Sequence, residues 1–248
     1  MNVLKRFLFL LLLGYSFSCQ AQLLAVYKYD GGGDWYANPT ALENLSAFYN
    51  ASTGAKSTVC TEPITAETLL ESGVSFLHAT GHGRIVISEA QGNQLRTFTE
   101  NGGFLHIDDN YGMSTYAKDA LKEVFPTATI ALVNLKHPIF NTLYPFPAGM
   151  PKIHEHDNSE PEALGYFVKG ELVALLTSET DLGDGWEDAE VHGDSLEKRQ
   201  AALKMGANLL QWATIINNQP IKTLNCNPFQ KRACHAWHSP HWAMHYGE

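Results

Sequence analysis

The sequence has no apolar run long enough to cross a bilayer. Its longest, Phe7 to Gly14, falls well short of the ~18 residues required. Basic residues are in deficit: Lys and Arg number 17 against 26 Asp and Glu, a net charge of −9. That balance argues against duplex nucleic acid as a partner and against an anionic membrane surface. Cysteine is scarce, with four residues and no CxxC, so neither a zinc ribbon nor a thioredoxin-type redox pair is supported. No Gly-Lys-Ser/Thr loop and no G-x-G-x-x-G fingerprint is present, which removes the common phosphate and dinucleotide cradles. G-x-S-x-G is also missing, so triad hydrolysis has no elbow to stand on. Nothing in these patterns assigns a cofactor or a metal.

What is present is an ordinary globular composition, 44% hydrophobic and 17% charged over 248 residues. The length suits one domain plus ends. Lys5 and Arg6 precede the apolar run, and small residues follow up to Ala21. Residues 1–21 therefore read as a secretory signal peptide, giving an exported, periplasmic or secreted protein. Lipid attachment at Cys19 is the alternative, against which Ser16 counts. Removing the leader leaves Cys60, Cys226 and Cys234, which permit at most one disulfide, with Cys226 and Cys234 nearest in sequence.

Along the chain, short apolar runs alternate with helical spacing. Strands are expected at Leu23–Tyr29, Lys56–Cys60, Val74–Ala79, Phe104–Ile107 and Thr129–Val133. Helices are expected after Asn38-Pro39, over Thr65–Ser72, from Ser88 with Gln91 as a capping box, from Ser114, and from Asp194 with Glu197. Lys169-Gly170 joins two strand patterns as a hairpin. Strands alternating with helices mean a mostly parallel sheet covered on both faces, with the hairpin adding an antiparallel edge. The fold class is thus α/β, a three-layer sandwich of the flavodoxin-like type. Residues 22–214 form the domain, and 215–248 form an irregular tail rich in His and Trp.

In open sheets of this kind ligands bind beyond the carboxyl ends of the strands. Phe104 to Ile107 runs directly into Asp108, Asp109, Asn110 and Tyr111, the pattern of a central strand delivering polar groups to that rim. Adjacent residues of a strand point to opposite faces, so Asp108 and Asp109 need different roles: one a base or ligand, the other a cap. Gly81-His82-Gly83 follows another strand and places an imidazole at the same rim. Asp30 to Tyr36 is a glycine loop whose acids suit a polyol or a cation better than a phosphate. We single out Asp108 and His82 as candidate acid or base. Asp34, Trp35, Tyr36, Gly81, Gly83, Asp109, Asn110, Tyr111 and Trp186 are candidate ligand contacts. Trp186 sits among acids in a polar loop, where it contacts a ligand or else plugs the core. His154-Glu155-His156-Asp157 lacks the i, i+4 histidine pair of a helical zinc site and reads as a solvated loop.

The set Gly31-Gly32-Gly33-Asp34-Trp35-Tyr36, Thr80-Gly81-His82-Gly83, Gly102-Gly103-Phe104-Leu105 with Asp108-Asp109 and Gly112, and His137-Pro138-Ile139-Phe140 resembles the bacterial domain of unknown function 4159 family over about Leu23 to Thr214. The resemblance implies a class I glutamine amidotransferase-like, trehalose-utilisation-type fold. In those amidotransferases a cysteine nucleophile follows the central strand. Here Asp108 stands in its place, and Ile139 follows His137-Pro138 where a glutamate would stand. The resemblance therefore carries a fold and a rim site, and argues against glutamine hydrolysis.

The functional expectation is an exported module that binds a small polar ligand or an envelope protein partner without chemistry. The alternative is a hydrolase or isomerase acting on a carbohydrate-like ligand through carboxylate and histidine acid–base chemistry.

Overall fold

The computed structural model describes residues 21–218. All but the last residue of the expected leader and most of the expected tail, including Cys226, Cys234 and the histidines at 235–245, lie outside the described residues. Within them is one sheet of seven strands: β1 (Leu23–Val26), β2 (Thr58–Val59), β3 (Phe76–Gly81), β4 (Phe104–Asp109), β5 (Thr129–Leu132), β6 (Glu162–Val168) and β7 (Glu171–Ser178). Their spatial order is β2-β1-β3-β4-β7-β6-β5. The first five in that order run parallel, and β6 and β5 close the sheet antiparallel.

The hairpin forms through Lys169 and Gly170, both at positive φ as a two-residue turn of this hand requires. Its second arm does not lie at the edge. β7 pairs with β4 in the middle of the sheet, and the exposed outer strand is β5. The run Ala174-Leu175-Leu176 explains this. It is apolar on both faces and fully buried, the composition of a strand covered above and below.

The helices are α1 (Ala41–Thr53), α2 (Ala66–Leu69), α3 (Glu89–Glu100), α4 (Ser114–Val124), α5 (Leu182–Trp186), α6 (Ala189–His192) and α7 (Leu196–Asn217). Strand alternation sorts them into two layers. Leu24, Phe76, Phe104 and Leu175 share a core with α1, α5 and α7. Ala25, Leu77, Leu105 and Leu176 share the opposite core with α2, α3 and α4. α3 starts with the expected capping box, Ser88 and Gln91 each serving the other's backbone. The stretch 182–192, expected as a loop, instead holds the short helices α5 and α6. α7 is capped by Ser195 rather than Asp194.

Candidate functional site

On the α1/α7 side of the two central strands, polarity rises residue by residue toward the carboxyl end. β3 presents Phe76, His78 and Thr80, and in register with them β4 presents Phe104, His106 and Asp108. The inner half of this double row is core. Fully buried, His78 is pushed down to about 3, and His106 lies well below the usual imidazole range for the same reason. Both rings lie against Trp186, at 5.1 and 5.9 Å between centroids. Trp186 is itself 0% exposed and donates from Nε1 to the carbonyl of Ala202 at 2.8 Å. It closes the core under the rim and does not contact solvent, because burying a large ring outweighs the polar surroundings of its sequence neighbours.

Asp108 also lies beneath the lip. Its Oδ1 accepts from the hydroxyls of Thr177 at 2.5 Å and Thr180 at 2.8 Å, and its Oδ2 accepts from the Gly183 amide at 2.7 Å. Burial pushes it up to about 7 against the pull of those three donors. The residue is 0% exposed, so it reaches no ligand arriving from solvent. Asp109 points the other way, as strand alternation requires. Its carboxylate accepts from the amides of Tyr111, Met113 and Ser114 at 2.9, 2.7 and 2.9 Å, and so caps α4.

Above these two carboxylates the lip is built from distant segments. Thr80 donates to Asn38 Oδ1, 2.6 Å away, and also lies 2.8 Å from Asn110 Oδ1. The amides of Asn38 and Asn110 both donate to Asp184 Oδ1, at 2.6 and 2.7 Å. Asp184 Oδ2 faces His154 Nδ1 at 3.2 Å. The same nitrogen lies 3.0 Å from Asp181 Oδ2, which also accepts from His156 Nε2 at 2.7 Å. His154 Nε2 is held by Asp194 Oδ2 at 3.1 Å, and His192 Nε2 stands 3.7 Å from Asp184 Oδ1. Hydrogen bonds to Asp181 and Asp184 push His154 up to about 10, with burial opposing and the charge of Asp194 assisting. Burial works against Asp184, but its bonds to His154 and Asn38 hold it below the usual carboxylate range.

Two features mark this cluster as more than a surface loop. Asp181 is 0% exposed, and its Oδ1 has no hydrogen-bond partner among the described residues. Glu179, Asp181 and, across the lip, Tyr111 all adopt positive φ, a backbone strain that concentrates at functional sites. Tyr111 is exposed and stacks on His156 at 4.6 Å.

A second group stands beside the first at the end of β3. Asp34 accepts from the His82 backbone amide through Oδ1, and its Oδ2 lies 3.0 Å from His82 Nδ1. Partial burial of Asp34 opposes ionisation, but these bonds hold it below the usual carboxylate range. Gly81 makes the approach possible: at φ +130° a Cβ there would lie 2.7 Å from Asp34 Oδ1. Gly83 is partly exposed, and its own Cβ would meet nothing within 4 Å. Tyr36 is exposed and packs edge-on against Trp35 at 5.4 Å, while Lys28 lies over the Trp35 ring.

Of the residues singled out in the sequence, the structure thus brings Asp34 onto His82, places Asn110 in the Asp184 network and sets Tyr111 on His156. Asp108 and Trp186 lie buried beneath the lip, and Asp109 bonds the amides at the start of α4. The stretch of His154 and His156 is irregular and exposed from Glu155 onward, as expected, but both imidazoles turn in to the buried Asp181. In the sequence Asn38 and Asp194 mark helix starts, and Asp181 and Asp184 belong to the polar loop around Trp186. What links Asp181, Asp184, His192 and Asp194 to His154 is a recurrence of His and Asp between 154 and 194 without local spacing.

The sequence profile of a family described as a domain of unknown function, DUF4159, matches residues 23–214. Comparison with curated proteins finds no match.

Proposed function

The chain belongs to the DUF4159 family, and from that premise we propose that it is an exported ligand-binding module of the cell envelope. On this reading it has a glutamine amidotransferase-like fold and takes a small polar ligand at the lip of its sheet without transforming it. The carrying observation is the state of Asp108. This side chain, which the amidotransferase resemblance would put at the place of a nucleophile, is sealed from solvent with both oxygens engaged. The lip above it offers carboxylates, amides and imidazoles, a lining for polar recognition. Export rests on the leader-like residues 1–21. Among the described residues no helix is long and apolar enough to cross a membrane.

A thermal-shift screen of sugars, polyols and nucleotides tests this. A true ligand stabilises the folded state by about 2.7 kcal/mol at a hundredfold excess over its Kd. The expected result is a raised midpoint without turnover, with the shift lost in Asp34→Asn. Turnover of the bound ligand would overturn it. One observation favours a second reading, acid–base chemistry by His82. Asp34 holds one ring nitrogen while the side chain remains 53% exposed, the orientation a general base needs. Turnover lost in His82→Gln would establish that alternative.

A further inference from the structure

We propose that the lip holds a divalent d-block cation of the zinc type between His154, Asp184 and His192. One nitrogen or oxygen from each of these three residues lies within 4.8 Å of the other two. A tetrahedral zinc ion with bonds of 2.0–2.2 Å sets its ligand atoms about 3.4 Å apart. His154 Nδ1 lies 3.2 Å from Asp184 Oδ2, close to that value, and His192 Nε2 stands 3.7 Å from the other oxygen of the same carboxylate, Oδ1.

The surroundings are those of a supported site. A metal-binding histidine usually donates its second ring N–H to a carboxylate, and binding carboxylates are themselves hydrogen-bonded. His154 Nε2 meets Asp194 Oδ2 at 3.1 Å, which leaves Nδ1 to face inward. Asn38 and Asn110 anchor Asp184 Oδ1, so Oδ2 is turned toward His154. Beside these three groups, Asp181 brings a fully buried carboxylate to His154 Nδ1 with its other oxygen unpartnered among the described residues. Two imidazoles with a carboxylate select zinc-like ions, whereas calcium and magnesium call for oxygen donors throughout.

This inference rests on the reading of the lip as a binding site and names its ligand class. Equilibrium dialysis of the full chain against zinc ions alone tests it. The sequence carries further histidines at 235, 238, 241 and 245, so the diagnostic quantity is a difference. His192→Ala should bind one zinc ion fewer per chain than the unaltered protein. The His192 side chain is 30% exposed, with its carboxylate neighbour 3.7 Å away, and equal melting midpoints in chelator verify that the variant folds. Asp194→Asn, a positioning change, should keep the ion and weaken it by about 10–100-fold. Equal zinc content in the His192→Ala variant, or uptake of calcium or magnesium in preference to zinc, would overturn the inference. A polar-ligand thermal shift that persists beside a null zinc result would refute the metal and leave the binding reading standing.

Discussion

At the scale of single residues, the rim depends on one hydrogen-bond chain whose direction is fixed. Thr177 lies 2.5 Å from Asp108 Oδ1 and 3.0 Å from His106 Nε2. When Asp108 is charged its oxygens only accept, so Thr177 donates to it and accepts from the His106 Nε2–H. Neutral His106 then offers a bare Nδ1 to His78 Nδ1–H, 3.1 Å away. The weak point is the charge itself. Asp108 rises to about 7 on burial, against ~4 in an unfolded chain. Between those values the folded state binds the extra proton, so this group's contribution to stability is complete at low pH and is lost as pH rises through 7. Asp108→Asn removes the effect. Urea melts at pH 4 and pH 8 should show the variant gaining on the parent protein by on the order of a few kcal/mol as pH rises, at ~1.4 kcal/mol per unit of separation. An unchanging gap would mean that Asp108 is charged throughout. Strand alternation and the run of Phe104 to Ile107 revealed in advance that Asp108 and Asp109 face opposite ways. That Asp108 is sealed could not be read, because its lid, Thr180 and Gly183, is more than 70 residues further along.

Among the elements, the contrast between two helix starts shows why some boundaries were legible and others were not. α3 carries its cap locally in Ser88 and Gln91 and begins where expected. α1 begins two residues later than Asn38-Pro39 suggests, because its cap is remote. Glu187 accepts from the amides of Thr40 and Ala41 at 2.9 and 3.0 Å and from the Thr40 hydroxyl at 3.1 Å. Asn38 is thereby free to serve Asp184. Glu187 thus ties α1 to the segment that carries Asp181, Asp184 and His192, with its charge at the favourable end of the helix dipole. Glu187→Gln turns an amide toward donors in a buried position. It should cost about 1–3 kcal/mol by chemical denaturation. A loss below a few tenths would show the cap to be replaceable by water.

For the molecule as a whole, the lip is assembled from segments far apart in the chain. The carboxyl ends of β3 and β4 supply Thr80 and, one residue beyond β4, Asn110, and the stretch between β7 and α7 supplies Asp181, Asp184, His192 and Asp194. The alternation of strands and helices made that rim legible as a place. Its chemistry was not legible, since no two of the cluster's elements share a local motif. The connection runs through Trp186, which ends α5 and lies against Gly206 of α7, so packing there should be felt at the site. A Cβ at Gly206 would come within 2.5 Å of Leu45 Cδ1, the end of a side chain that can turn away, and within 2.8 Å of the Trp186 ring, which cannot; one at Gly103, at the opposite end of β4, would collide with the Phe98 ring. Overpacking of either kind costs about 1–3 kcal/mol. The two substitutions differ in location: β4 spans six residues, roughly 20 Å at the usual rise, so Gly103 is remote from the lip. Gly206→Ala should therefore shift the ring-proton resonances of His154 and His192 and weaken binding at the lip. Gly103→Ala should lower the melting midpoint comparably while leaving those resonances in place. If both variants move the histidine signals equally, the lip responds to global stability and not to the seating of Trp186. If neither does, the helix that carries Asp184 is held by its own hydrogen bonds to Asn38 and Asn110 and is insulated from the core.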